Sequence, residues 1–239
     1  MKSIIYIVIL IATIFGQISQ TVTTNTYKQS QSHPIPDVNQ IYDSTVWIGM
    51  ATSDGVKVLG SGWVVANHRM LNSTVSYVIT AAHVIQNRSG NFIVGYWTGS
   101  GQWSITVANV ESPLYWLSAD VAIMSIEIDL PPMKLAKNAI YKLDDEVLVG
   151  GVQLDAPPAY VTIGSITSIR PNNEFTMNGW AWYGHSGGPI ILRNTNEVIG
   201  LVTRASDDHT KDASLTECVD YTAILELLSN SGLDTFIKQ

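Results

Sequence analysis

The sequence predicts an all-β protein built from two β units and closed by a C-terminal helix. Three features point there. Short runs rich in Val, Ile, Trp and Tyr recur along the chain, Gly, Asp, Asn and Ser punctuate them, and apolar residues at helical spacing gather in the last segment. At 239 residues there is length for one large domain or a tightly joined pair with a real core. A hydrophobic fraction of 46% with 14% charged residues excludes a disordered chain.

The chain opens on Lys2 and an apolar run over 4–16. That run falls short of the roughly 20 residues a membrane span needs, and one positive charge ahead of it is the layout of a secretory signal. Residues 1–19 are therefore expected to be a signal peptide, or an N-terminal anchor if retained, and the remainder is expected to be exported. Residues 20–40 are rich in Thr, Gln, Ser and Asn and read as a disordered linker.

Strand-like runs then follow at 46–50, 56–59, 63–65, 77–80, 92–97, 103–110 and 121–128, with Ser53-Asp54-Gly55, Gly60-Ser61-Gly62 and Thr98-Gly99-Ser100-Gly101 as breaks. These make a first unit over 41–130. A stretch opened by Pro131-Pro132 reads as the connection, over 131–145. The second unit, 146–239, holds runs at 146–150, 160–169, 175–177, 189–192, 198–203 and 217–221, then a helix over 222–229 ending near Gly232.

Thirteen Lys and Arg stand against 20 Asp and Glu, a net charge of −7. That balance, with no basic run interleaved with aromatics, excludes a nucleic-acid partner. The single cysteine, Cys218, cannot form an internal disulfide, so the fold must be held by its core, and Cys218 itself reads as a small buried hydrophobe. Asn72-Ser73-Thr74 and Asn87-Arg88-Ser89 match the glycosylation acceptor pattern and are expected in exposed loops.

Three segments carry chemistry. Tyr77-Val78-Ile79-Thr80-Ala81-Ala82-His83 ends a strand-like run on a histidine. Asp120 opens another run, Asp120-Val121-Ala122-Ile123. Gly184-His185-Ser186-Gly187-Gly188-Pro189 sets a serine on a glycine-flanked turn. Serine is a weak nucleophile at neutral pH, so it needs a base, and the base needs an anion to hold its tautomer and stabilise the imidazolium. Each residue alone has an ordinary structural use, as core histidine, strand-entry aspartate or turn serine. Their joint occurrence points to acyl transfer, with His83 and Asp120 in the first unit, Ser186 in the second, and the site in the cleft between.

The Gly-x-Ser-x-Gly string also invites the nucleophile elbow of an α/β-hydrolase. That fold requires a helix after the serine and the order Ser, acid, His. Here Pro189-Ile190-Ile191 favours a strand, and the one downstream histidine, His209, has only the adjoining Asp207 and Asp208 before it. The elbow is excluded.

With these three motifs the chain resembles the trypsin-like serine proteases, and within them the HtrA/Deg-type protease domain. Gly60-Ser61-Gly62, the run 164–169 and Val198-Ile199-Gly200-Leu201-Val202 add to the likeness, which runs over 46–228. The resemblance implies two six-stranded antiparallel β-barrels packed side by side, and a serine endopeptidase with His83 as base, Asp120 as orienting acid and Ser186 as nucleophile. It further implies an oxyanion hole from the N–H groups of Gly184 and Ser186, and Val202, Thr203 and Arg204 as the strand that pairs with substrate. Trp182 and Tyr183 would wall the pocket for the residue before the scissile bond. With no acidic residue placed to hold Lys or Arg, that pocket is expected to be shallow and to take small or medium aliphatic side chains; packing in the core is the other use these aromatics could have.

Three departures stand out. His185 occupies a position where HtrA-like proteins usually carry asparagine and the digestive enzymes aspartate. Val84 replaces the digestive enzymes' cysteine, and with the sequence closing soon after the terminal helix the PDZ domain many HtrA proteins carry is not expected. Asp207, Asp208, His209 and Asp212 read as a solvated turn, and no metal or cofactor is expected. The expected partners are polypeptide substrates, with a membrane only if the N-terminal segment is retained. A non-catalytic binding module on the same fold and a serine esterase are the alternative functions.

Overall fold

The computed structural model describes residues 37–88, 90–98, 102–116, 119–154, 156–205 and 215–237. The expected signal segment, most of the expected linker and the Asp207–Asp212 cluster lie outside them.

Two closed six-stranded antiparallel barrels form the body of the protein. The first comprises β1 (Thr45–Thr52), β2 (Gly55–Arg69), β3 (Thr74–Ala81), β4 (Phe92–Trp97), β5 (Trp103–Trp116) and β6 (Val121–Ile126), in the order β1-β2-β3-β6-β5-β4. The second comprises β7 (Glu146–Gln153), β8 (Ala156–Arg170), β9 (Glu174–Met177), β10 (Pro189–Leu192), β11 (Glu197–Ala205) and β12 (Thr216–Asp220), in the order β10-β11-β12-β9-β8-β7. Closure gives every strand a neighbour on both sides over at least part of its length, which suits a chain without disulfides. Trp63, Ile48, Ile79 and Met124 fill the first barrel and Phe175, Met177, Ile166 and Ile190 the second, all fully buried and all in one contiguous core.

The connection is bound to both barrels by main-chain hydrogen bonds. Met133 N–H donates to Val64 O of β2 (2.9 Å), while Ala136 N–H donates to Val198 O of β11 (2.9 Å) and Val198 N–H to Lys134 O (2.8 Å). The side chains of Met133 and Leu135 are buried between them. The terminal helix α3 (Tyr221–Asn230) is capped by Asp220, whose carboxylate accepts from Thr222 N–H (2.7 Å) and Oγ1–H (2.6 Å). It buries Ala223, Ile224, Leu227 and Leu228 against the core. A third bond reaches the same carboxylate from Tyr141 Oη in the connection, so the cap also fastens the connection to the helix.

Several elements depart from the expectations. The runs 56–59 and 63–65 are parts of one strand, β2, which passes through Gly60-Ser61-Gly62 unbroken. A helix, α1 (Val38–Ser44), begins inside the stretch expected to be linker, with Asp37 accepting from Asn39 N–H (3.0 Å) and Gln40 N–H (3.4 Å). It docks through buried Ile41 and through Ser44 Oγ–H, which donates to Pro131 O (2.6 Å). Tyr221 starts the helix and does not end a strand. A 3-10 turn, Asp234–Ile237, follows α3. Both glycosylation-type asparagines, Asn72 and Asn87, are exposed outside the strands.

Candidate active site

Strand pairing brings His83 and Asp120 together. β3 and β6 run antiparallel with Ala81 opposite Val121, so the residues just after β3 and just before β6 share one rim of the barrel. His83 lies there on a one-turn helix, α2 (Ala82–Ile85), not on the strand the sequence led us to expect. Asp120 adopts a left-handed backbone (φ 52°), a conformation aspartate tolerates better than most residues. Two bonds join the pair, and a third ties Asp120 to the neighbouring Ala82. Ala82 N–H donates to Asp120 O (3.0 Å), His83 N–H donates to Oδ1 (2.9 Å), and His83 Nδ1 meets Oδ2 at 2.7 Å.

An ionised carboxylate only accepts, so the proton of the neutral ring sits on Nδ1 and Nε2 keeps its lone pair. That is the tautomer a general base requires. The side chains are 44% and 31% exposed, so the two-point hold of Asp120 on His83, and not burial, fixes the geometry.

Ser186 sits in the turn before β10. The turn depends on Gly184 (φ 103°) and Gly187 (φ 87°), conformations that residues with a Cβ rarely adopt. It is closed by His185 N–H donating to Trp182 O (2.9 Å) and Gly188 N–H to His185 O (2.8 Å). It is tied to β11 by Gly187 N–H donating to Val202 O (2.7 Å) and Val202 N–H to Gly188 O (3.0 Å). Among the described residues the N–H groups of Gly184 and Ser186 donate to no main-chain acceptor, which leaves two adjacent donors for an anionic oxygen.

The turn lies against the end of β3 and the start of α2. A Cβ built on Gly60 would stand 2.7 Å from Val84 Cγ2 and 2.9 Å from Ser186 O; one built on Gly187 would stand 2.8 Å from Ala81 N. The backbone of the Ser186 turn therefore packs beside the segment that carries His83. No hydrogen bond joins Ser186 Oγ to His83 among the described residues; such bonds often close only around substrate.

Ser61 is the residue sequence reasoning passed over. It is fully buried on β2 and bonds to the Ser186 turn and to both barrels. Its N–H donates to Ser186 O (2.8 Å), its Oγ–H donates to Gly184 O (2.6 Å), and its Oγ accepts from Val152 N–H of β7 (2.8 Å). Thr80 Oγ1–H donates to Ser61 O (2.7 Å). The available signal was a serine between two glycines inside an otherwise continuous strand pattern.

The remaining expected site residues fall in two groups. Trp182 and Tyr183 are 45% and 67% exposed beside Trp180, whose ring centroid lies 5.5 Å from that of Trp182, so they form a surface wall and not core packing. Val202 does not fit the expected substrate strand, because its side chain is buried and its N–H and C=O are both bonded to the Ser186 turn. The edge available beyond it begins at Thr203, which bulges from the β11–β12 register with Oγ1–H donating to Glu217 O (3.0 Å). Arg204, 79% exposed, lies 3.7 Å from Glu217. His185 is fully buried, where desolvation holds its pKa below the usual histidine range. Burial likewise pushes the Cys218 thiol up, away from thiolate chemistry.

Comparison with known proteins gives a consistent picture. The family model for the trypsin-like peptidase domain matches residues 60–201. No curated protein matches the chain. Among solved structures, Rv3671c from M. tuberculosis H37Rv, as a serine-to-alanine mutant in its inactive form, matches with a TM-score of 0.61 and 24% identity over 84% of this chain and 91% of that one. A serine endoprotease from Yersinia pestis matches with a TM-score of 0.62 and 20% identity over 82% of this chain and 66% of that one. At these identities the two structures share the fold with this chain.

Proposed function

Because this chain belongs to the trypsin-like peptidase domain family, we propose that it is a serine endopeptidase acting through His83, Asp120 and Ser186. One observation carries most of the weight: Asp120 grips His83 through both the main chain and Nδ1, leaving Nε2 as a base beside the Ser186 turn.

In this reading Nε2 takes the Ser186 hydroxyl proton as Oγ attacks the scissile carbonyl. The carbonyl oxygen gains negative charge and is met by the N–H groups of Gly184 and Ser186. The imidazolium, balanced by Asp120, then protonates the leaving amine, and the acyl-enzyme is hydrolysed by water activated at the same nitrogen. Thr203 and Arg204 offer the strand edge along which a substrate backbone would lie. The aromatic wall of Trp180, Trp182 and Tyr183 favours an apolar side chain before the scissile bond. A peptide-library profile dominated by Lys or Arg there would overturn that preference.

The acyl-transfer chemistry is tested by casein hydrolysis with the purified chain and its Ser186→Ala variant. The proposal requires turnover by the first and background by the second; equal turnover would defeat it. Export follows from the signal-like segment and is tested by N-terminal sequencing of protein recovered from outside the producing cell. A mature terminus within or after residues 16–20 supports secretion, and an intact terminus in the membrane fraction supports tethering. Intact protein in the cytosol contradicts both.

A further inference from the structure

A small cavity lies where helix α1, the β4–β5 hairpin and β8 meet, and no part of the mechanism above uses it. Its volume is about 230 Å³, and it is lined by Asn39, Tyr42 and Asp43 of α1, Trp97 and Trp103 of the hairpin and Ala159 of β8. Drug-sized ligands occupy roughly 300–1,000 Å³, so this cavity takes only a small group.

The walls follow from strand register and packing. Trp97 and Trp103 are partners across the β4–β5 pair, so both rings stand on the same face of the sheet. Their planes meet at 68° with centroids 5.6 Å apart, which makes a corner and not a stack. Tyr42 and Trp103 pack against Trp47, Val152 and Ala159, a buried cluster apart from the main core. Two of the three rings are therefore held in place before anything binds.

Charge decides what fits between them. Aromatic faces carry partial negative charge. Asp43 is half-buried and makes no hydrogen bond or ion pair among the described residues. No Lys, Arg or His lines the cavity, and the last turn of α1 has no basic residue to answer the carboxylate. Three rings and an unanswered carboxylate favour a cation. A primary ammonium is compact and strongly hydrated, and it would give up that water against the rings. A methylated ammonium has no N–H to satisfy and spreads its charge over methyl groups that pack on aromatic faces.

We propose that Tyr42, Trp97, Trp103 and Asp43 form a binding site for a small quaternary ammonium of the choline type. The inference stands apart from the reading of Ser186 as nucleophile, since none of these residues belongs to that site.

The test is calorimetric titration of the full chain with choline, beside two relatives of similar size. Choline should bind saturably at one site with a Kd near or below about 1 mM. Neohexyl alcohol has the shape without the charge, and ethanolamine has the charge without the methyl groups; each should bind at least about tenfold more weakly. Trp103→Leu should weaken choline binding by about tenfold or more. Because Trp103 also packs on the Trp47 cluster, Asp43→Asn supplies the variant that leaves packing alone. It should weaken choline by about three- to tenfold at an unchanged melting temperature. Phosphatidylcholine vesicles, read by co-sedimentation, separate the two sources of this chemistry. Capture that free choline displaces supports a membrane head group, and choline binding without capture supports a free solute.

No saturable choline binding, equal affinity for the neutral alcohol or for ethanolamine, or unchanged affinity in Asp43→Asn or in folded Trp103→Leu would each overturn the proposal. Absence of peptide hydrolysis would sink the proposed function and leave this site standing.

Discussion

The two halves of the site are built by different means. In the first barrel, the pairing of β3 with β6 places Ala81 opposite Val121 and so delivers His83 and Asp120 to one rim, where three hydrogen bonds from Ala82 and His83 to Asp120 lock them. In the second barrel no strand carries Ser186. It rides on a turn shaped by two left-handed glycines and held from outside by Ser61 of the other barrel and from within by His185 and Trp182. The proposed base is therefore prepared by sheet register, while the proposed nucleophile and oxyanion donors depend on clamps across the interface. Damage to the first half should alter proton transfer at an intact turn. Damage to the clamps should alter transition-state stabilisation beside an intact base.

The largest effect separates chemistry from scaffolding. Ser186→Ala should lower kcat by about 10⁶-fold while leaving the melting temperature close to the parent's, as read by peptide turnover and thermal unfolding. Asp120→Asn should cost about 10⁴-fold in kcat through the wrong histidine tautomer, without displacing the Ser186 turn. Turnover near the parent's in either variant would break the assignment of that half.

Ser61→Ala tests the clamp. Loss of the hydroxyl leaves Gly184 O and Val152 N–H without their partner and should destabilise the fold by about 1–3 kcal/mol. Because Gly184 is one of the proposed oxyanion donors, kcat should fall as well, by about tenfold. An intact kcat in this variant would show that the turn holds its shape without the other barrel.

Smaller effects arise away from the site. Tyr141→Phe removes the donor to Asp220 and should cost about 1–2 kcal/mol in denaturant unfolding. In the parent, burial first and the Asp220 contact second push the Tyr141 pKa above its ordinary 10.0. Above pH 10 the unfolded tyrosine then gives up a proton that the folded one keeps, so this contribution is present below pH 10 and lost as pH rises beyond it. The Phe variant should lack that alkaline loss. Cys218, buried and with its thiol pKa raised, should resist alkylation in the native protein and react only on unfolding.

Much of this was legible in the chain because it is local. Strand runs such as 92–97 and 189–192 coincide with β4 and β10, since β-branched residues between turn-forming ones leave few alternatives. The three chemical segments were legible for the same reason, each being a short string in a distinct strand-turn setting. Ser61 was not, because the partner that gives it meaning, Gly184, lies 123 residues away, and a serine between glycines reads locally as a turn. Helix α1 escaped because seven residues with one buried large side chain, Ile41, make no periodic pattern. The inward ring of His185 escaped because only the missing side chain at Gly151, on a separate strand, makes room for it.

The most direct measurement of the central claim is labelling by a fluorophosphonate, followed by mapping of the modified peptide in the parent and in His83→Ala. One adduct at Ser186 in the parent, formed at a greatly reduced rate in His83→Ala, is the predicted result. Labelling elsewhere in the chain, or at the same rate without His83, would contradict it.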